Sequence, residues 1–577
     1  MNDVTEKTKL ERTGVGTWLL KIPLPPEACW VHRFYNNMTA QEHGPWILTL
    51  GGFDQIVSSQ DLIVLGDPKT KRYFLAGALS AERSTTHLLA HFEYGRFTRL
   101  MVWQPEAVAS DQDPAEQLLL LEGTDWQELV ETYWASALEQ NGVRRTDSVP
   151  EPLTGYCPWY YYYDSLSEAQ LLANVAAADA SQDVYPCRII QIDDGYQSFH
   201  GDWLELNDRW PTLFAKTIKG ILESGFEVGV WIMPFLAAAQ SRVAREHPSW
   251  FVKGDDDQPV YVRGWSAAPN DRWQCLDVTH PEAINYIRRV FLEFRAMGVT
   301  YFKLDGVGFS GQRGRRRDAE ASGSSAFRLG LRAIREAAGD CLLLGCGGNY
   351  LAGLGVYDTI RVSCDTAINY EPRGLPNDPE NASQLLLRHP HPSLPSLENA
   401  VRATLYNWWR FDAGYRCDPD VIVARDNCCN LTEEEARIST LSAILTGIAF
   451  TSDKLDECAT ERLALLALAA RVRMCAVRPL RVEEDGLLEV FGGNVRGESA
   501  VAFFNFSNQP KYYPKMLLPE SGAAYADLLN CEVRPLHEGE RLEVPAHGAA
   551  LIVGETQARQ IRAEIDLAID IRNNGKH

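Results

Sequence analysis

In the stretch GVTYFKLDGVG (298–308), Lys303 and Asp305 are two charged residues inside an otherwise apolar run of Val299, Tyr301, Phe302 and Leu304. The run reads as a strand buried on both faces, and residues two apart on a strand point to the same side. Burying a lysine beside an aspartate is unfavourable unless each is paired and has a task. Other apolar runs end in the same way. CRIIQIDD ends in Asp193-Asp194, TIRVSCD carries Arg361 and Asp365, and AILTGIAFTSD ends in Asp453. Aromatic residues close two more, Trp159 and Tyr160 in TGYCPWYYYY and Trp231 in FEVGVWIMPF. Carboxylates beside aromatic platforms, without a His/Cys metal cluster, suit a carbohydrate, whose faces stack on rings and whose hydroxyls bond fixed carboxylates. Two acids on different strand ends suit cleavage of a glycosidic bond. No GxGxxG or P-loop follows any of these strands.

These residues need a frame that gathers strand ends. Between about 150 and 478, eight apolar runs alternate with helical patterns: TGYCPWYYYY, CRIIQIDD, FEVGVWIMPF, VTYFKLDG, CLLLGCGG, TIRVSCD, a segment near 405–424, and AILTGIAFTSD. The helix after the first run has Ser165 and Glu168 in capping-box positions. The helix before VTYFKLDG has Thr279 and Glu282 in those positions and Gly298 at its stop. Eight such units predict a (β/α)8 TIM barrel, whose chemistry gathers at the carboxyl ends of its strands. Short strands broken by Gly and Pro precede and follow it. The expected division is an N-terminal β domain with a connecting helix (1–148), a catalytic barrel (149–478) and a C-terminal antiparallel β domain (479–577). Ile561, Ile565 and Ile569, four apart, predict a terminal amphipathic helix.

The 577 residues carry a net charge of -21, which argues against nucleic acid or an anionic membrane as partner. No apolar run reaches the roughly 18 residues of a membrane span. The start MNDVTEKTKLER lacks the apolar core of a secretory signal, and thirteen cysteines are scattered without CxxC pairs. A reduced, cytoplasmic protein is expected. A homo-oligomer is left open by the terminal amphipathic helix, which reads first as docked on its own domain and second as an oligomer contact.

TGYCPWYYYY, IIQIDDGYQ with GDWLELNDRWP, GVWIMPF, YFKLDG, LLGCGG, RVSCDTA and CDPDVIVAR resemble, in order, the motifs of glycoside hydrolase family 36, nearest its short α-galactosidases. The likeness spans about 150 to 455. It implies the barrel with an N-terminal β-sandwich-like and a C-terminal antiparallel β domain. It also implies a retaining double displacement on small terminal α-galactosides, with no metal or other cofactor. Asp305 matches the family's nucleophile and Asp365 its acid/base. Asp193 and Asp194 match the pair that reads the galactose O4 and O6 hydroxyls. Lys303 and Arg361 match substrate and nucleophile contacts, and Trp159, Tyr160 and Trp231 line the sugar pocket. Cys346 and Gly347 fall near O2, and Asp453 is expected among the substrate-binding residues. The nearest counterpart of the family's tryptophan-bearing sandwich loop is NNMTAQEHGPW, with Trp46.

Lys303 and Arg361 are expected to depress the Asp305 pKa and keep it ionised for attack. The basic loop GQRGRRRD (311–318) reads as a solvated loop, or more sharply as an entrance lining. The same scaffold leaves α-N-acetylgalactosaminidase, β-L-arabinopyranosidase and galactosyl-transferring synthase open as readings. The presence of both Asp305 and Asp365 disfavours a catalytically silent sugar-binding barrel.

Overall fold

The apolar runs with charged ends form one parallel sheet in the computed structural model. It describes residues 2–3, 9–22, 30–33, 44–47, 55–67, 69–93, 96–108, 113–143, 152–263, 272–372, 395–411, 413–482, 488–514, 517, 525–530 and 541–574. The eight strands are β1 (Leu153–Tyr156), β2 (Ile189–Ile192), β3 (Glu227–Ile232), β4 (Val299–Leu304), β5 (Leu342–Gly345), β6 (Thr359–Arg361), β7 (Arg416–Asp418) and β8 (Ile448–Thr451). Neighbours pair in sequence order from β1 to β7, and β8 pairs with β1. Ile422, just past β7, closes the ring: its N–H donates to the Phe450 carbonyl on β8 at 2.7 Å. The result is the expected (β/α)8 barrel.

Alternation along β4 sorts its side chains. Phe302 points outward, its ring 4.8 Å from Phe291 and 6.2 Å from Phe294 on the helix Pro281–Met297. Tyr301 points inward and stacks on Phe450 at 5.6 Å. Both inward rings occupy room left by glycines. A Cβ on Gly229 would lie 2.5 Å from the Tyr301 ring, and one on Gly155 would lie 2.4 Å from that of Phe450. This apolar floor lies below the charged layer of Lys303 and Asp305.

The helix boundaries correct two expectations. Ser167, not Ser165, caps the helix Glu168–Asp179, in a reciprocal box with Gln170. Ser165 instead belongs to the short turn Tyr163–Ser165, where its hydroxyl bonds the Tyr162 carbonyl. His280 caps Pro281–Met297, its Nδ1 accepting from the Glu282 N–H at 3.3 Å. Thr279 is drawn away by Asp277, to which its hydroxyl donates at 2.7 Å. Gly298 stops the helix in the left-handed conformation, as read.

Before the barrel, a six-stranded and a five-stranded antiparallel sheet lie face to face. Trp18, Leu20, Ile63, Leu65, Phe74, Leu88 and Leu100 form the core between them. The strand Leu62–Asp67 is buried on both sides because Leu62 and Val64 belong to a second core, shared with Tyr133 of the helix Trp126–Gln140. After the barrel, a five-stranded antiparallel sheet and a two-stranded pair enclose Val490, Phe503, Tyr513, Val544 and Ile552. The last helix, Glu555–Asn574, buries Ile561, Ile565 and Ile569, and its Arg572 donates to the Leu455 carbonyl at 2.7 Å. Among the described residues, no helix is long and apolar enough to cross a membrane.

Polar contacts bind the N-terminal sheets to the barrel rim. Glu106 accepts from the Ser324 N–H at 2.8 Å, and Glu82 pairs with Arg328 at 2.8 Å. Asp61, buried and left-handed at φ 63°, accepts from Asn349 Nδ2 at 3.0 Å, four residues past the end of β5. Burial raises the Asp61 carboxyl from its ordinary 3.8 to about 7, against the opposing pull of Asn349, the Thr86 backbone and Arg410. A raised carboxyl stabilises the fold while it is protonated. That contribution is complete below pH 3.8 and lost as the pH rises to about 7. Asp61→Asn keeps an acceptor, tolerates the left-handed backbone and removes the titration. Its melting temperature is expected to overtake that of the wild type by several degrees between pH 5 and 8. A constant difference across that range would contradict the linkage.

Candidate active site

Lys303 does not pair with its strand neighbour. Residues two apart on a strand stand roughly 6.6 Å from each other, whereas the lysine stem can reach across the barrel. Lys303 Nζ therefore donates to Asp193 Oδ2 at 3.1 Å, a contact between residues 110 apart. Burial opposes the ammonium charge, but Asp193 outweighs it and holds the lysine protonated. Asp193 is fixed further by the Asp194 N–H at 2.9 Å, by Gln191 and by the Cys157 thiol at 3.3 Å.

Asp305 takes two other donors. The Trp231 indole N–H lies 3.2 Å from Oδ2, and the Gly306 N–H donates to Oδ1 at 2.7 Å. Gly306 adopts φ 55°, turning the chain out of β4. The expected depression of the Asp305 pKa is reversed. Burial raises it most, Arg361 and Lys303 pull it down, and Asp365 pushes it up again; the net shift is upward. The two cations moderate a burial effect that they do not overcome.

Arg361 is the second buried cation, and its fork clasps two carboxylates. Nη2 pairs with Asp365, and Nη1 lies 2.9 Å from Asp420. Asp365 keeps 40% of its side chain exposed. Asp420 is buried and left-handed, with φ 75°. It accepts from the Tyr160 hydroxyl and from the Thr366 N–H at 3.0 Å, and so holds the turn that carries Asp365. No role had fallen to Asp420, although CDPDVIVAR displays it. Its spacing from Asp418 repeats the Lys-x-Asp pattern of β4. Asp418, at the end of β7, is raised to about 6 by burial and by Asp420, against Arg361 and Lys303.

Asp194 forms another corner. His200 Nε2 lies 3.1 and 3.2 Å from its two oxygens, and Gln197 donates at 2.6 Å. Burial works against its charge, yet His200, Gln197 and the Gly195 backbone together lower its pKa. The His200 ring packs against Trp203, Trp231 and Trp273. GYQSFHGDW supplies these partners after β2, but nothing in its pattern marks them.

The remaining expected residues divide. Trp159 is partly exposed on the helical turn after β1, while Tyr160 beside it is buried with its hydroxyl on Asp420. Cys346 is buried after β5, its carbonyl accepting from the Val307 N–H at 3.3 Å. Gly347 accepts from the Gly308 N–H at 3.2 Å. This approach requires glycine at 308, since an added Cβ would lie 2.5 Å from the Gly347 oxygen. Asp453 is fully buried, pairs with Arg425 at 3.0 Å and accepts from the Ala424 N–H at 2.7 Å. Arg425 in turn donates to the Tyr160 carbonyl at 2.7 Å.

The basic loop is also largely spoken for. Arg315 pairs with Asp257 at 2.6 Å, Arg316 donates to the Ser310 carbonyl at 2.9 Å, and the Arg317 N–H donates to Asp277 at 2.7 Å. Most of NNMTAQEHGPW lies outside the described residues, as does the side chain of Trp46. Among the described residues, no group of three or more His, Cys, Asp or Glu side chains is arranged to hold a metal ion. The arrangement instead offers a buried, doubly hydrogen-bonded carboxylate, Asp305, and a half-exposed one, Asp365, paired with a guanidinium whose charge also acts on Asp305. That is the equipment for covalent catalysis with a separate proton donor.

Comparison with known proteins agrees with this equipment. Residues 182–338, from the approach to β2 through the helix after β4, match the family model described as Melibiase. A curated Escherichia coli α-galactosidase is 29% identical over 109 residues, which is 18% of this chain and only 14% of that relative's length. An α-galactosidase of Thermus thermophilus, solved with p-nitrophenyl α-D-galactopyranoside, superposes with a TM-score of 0.66 at 25% identity, covering 85% of this chain and 95% of its own. A GH36 α-galactosidase of Geobacillus stearothermophilus shares the fold at a TM-score of 0.58 and 14% identity, over 94% of this chain and 78% of its own. Residues 182–338, the stretch that matches the Melibiase family model, carry Asp193, Asp194, Trp231, Lys303 and Asp305.

Proposed function

We propose that this protein is a retaining glycoside hydrolase that removes terminal α-linked galactose from small α-galactosides. The observation that carries the reading is the pair Asp305, after β4, and Asp365, after β6, both acted on by the buried Arg361, which pairs with Asp365. Asp305, held by Trp231 and Gly306, attacks the anomeric carbon. The glycosidic C–O bond breaks, and Asp365 gives its proton to the departing oxygen. Water then attacks the same carbon, its proton passes to Asp365, and the bond to Asp305 breaks, freeing galactose with its configuration kept. Esterification removes the negative charge of Asp305, so Asp365 meets mainly the Arg361 cation. That favours the carboxylate needed to take a proton from water.

Asp193 and Asp194, fixed by Lys303 and His200, take the O4 and O6 hydroxyls. Their acceptor oxygens are charged and nearly immobile, which suits reading an axial hydroxyl. Trp231 and Trp159 supply apolar walls, and Cys346 with Gly347 closes the side near O2. The Thermus thermophilus relative, solved with an α-galactoside, supports the choice of sugar.

Asp305→Ala is expected to lower turnover roughly ten-thousandfold, and azide is expected to restore it on an activated aryl α-galactoside, giving the β-galactosyl azide. Turnover that stays high, or the absence of any azide adduct, would remove Asp305 from the nucleophile's role. Asp365→Ala is expected to slow raffinose-like substrates far more than aryl galactosides with good leaving groups. Equal slowing on both would contradict the acid role. Because Asp305 must be ionised and burial raises its pKa, kcat/KM on an aryl α-galactoside is expected to fall on the acid side through a value above the ordinary aspartate pKa of about 3.9. Full activity retained at pH 4 would contradict that assignment.

A further inference from the structure

Four consecutive tyrosines follow Trp159, and three have their hydroxyls committed to the protein. Tyr160 donates to Asp420, Tyr161 donates to Glu457 at 3.1 Å, and Tyr162 accepts from Asn174 at 2.9 Å. The fourth, Tyr163, differs in three respects. Among the described residues its hydroxyl has no hydrogen-bond partner, and 45% of the residue is exposed. Its backbone is left-handed, at φ 49° and ψ −141°, a conformation unfavourable for any residue but glycine. Its ring meets the Trp159 ring edge to face, with centroids 5.5 Å apart. A bulky aromatic held in a strained backbone and nearly half exposed needs a purpose beyond its contact with Trp159.

The position of the ring gives it one. The phenol is raised by burial, and the charges acting on it are those of Arg425, Asp365 and Cys429. The ring stands on the turn after β1, at the carboxyl-end mouth of the barrel, three residues past Tyr160, whose hydroxyl bonds Asp420. Asp420 shares the Arg361 fork with Asp365, the carboxyl that hands a proton to the departing oxygen. Whatever leaves must cross that side. We infer that Tyr163, braced by Trp159, is the platform on which the leaving-group sugar stacks, making it a specificity-determining residue for the aglycone rather than for the galactose. The ligand class is a pyranose or similar flat-faced polyol joined through the scissile oxygen. The bare hydroxyl at the ring's edge is free to bond that sugar. This inference rests on the galactosidase reading above and deepens it.

The test compares two substrates that share the galactosyl group. α-Galactosyl fluoride has a leaving group too small to use a platform, whereas raffinose presents a sugar. In Tyr163→Gly, which suits the left-handed backbone, the ratio of kcat/KM for raffinose to that for the fluoride is expected to fall about tenfold. Tyr163→Phe keeps the ring and is expected to hold that ratio within about threefold of the wild type. An unchanged ratio in Tyr163→Gly overturns the platform, as does an equal loss on both substrates. A loss in Tyr163→Phe as large as in Tyr163→Gly overturns stacking in favour of the hydroxyl alone. Wild-type protein that cleaves neither substrate overturns the galactosidase reading itself, and the platform with it.

Discussion

Too many carboxylates for the available cations is the condition around which this barrel mouth is built. Asp193, Asp194, Asp305, Asp418 and Asp420 are all buried there, with Lys303 and Arg361 as the buried cations facing them. Such a cluster persists only if each cation serves more than one acid and the remaining charges are met by polar hydrogens. Lys303 is bonded to Asp193 and acts on Asp305 and Asp418. Arg361 holds Asp365 and Asp420 and acts on Asp305. His200, Gln197, Trp231 and the Gly306 N–H supply the rest. Removing one partner would leave a buried charge unmet, so the geometry of the acids is rigid.

The surrounding structure reads as support for that cluster. The Tyr301–Phe450 floor shields the cations from below. The Arg425–Asp453 pair, itself fully enclosed, fastens the aromatic turn after β1 to the end of β8. The N-terminal sheets reach the rim through Asp61 on Asn349 and Glu106 on Ser324, and so steady the segments after β4 and β5. Left-handed backbones at Asp61, Tyr163 and Asp420 lie at these junctions. Conformational strain of this kind survives only where the contacts around it leave no alternative.

How much of this could be read from the chain alone depends on whether the signal is local. The barrel strands were legible because burial on both faces leaves continuous apolar runs, and Lys303, Asp305, Asp193 and Asp194 stood out as charges interrupting them. The partners were not legible. Lys303 and Asp193 are 110 residues apart, and only the curvature of the sheet brings them together. The same distance effect hid Arg425 as the mate of Asp453, and Asp420 as the second acid on Arg361. The caps were misplaced by one or two residues because Ser165 and Ser167 offer similar local patterns, and Asp277 claims the hydroxyl of Thr279. The upward shift of Asp305 shows the same limit in electrostatic form. Two neighbouring cations are visible in a sequence, but the depth of burial that outweighs them is not.

The central claim is that this crowded field exists to present the Asp305 carboxylate to a sugar carbon. A slowly turned-over reagent such as 5-fluoro-α-galactosyl fluoride tests it directly, since the covalent intermediate accumulates and proteolysis with tandem mass spectrometry finds its site. The expected result is one galactosyl-derived mass increment, on the YFKLDG peptide and at Asp305. An increment at Asp365 or any other residue, or turnover with no covalent species formed, would contradict the account.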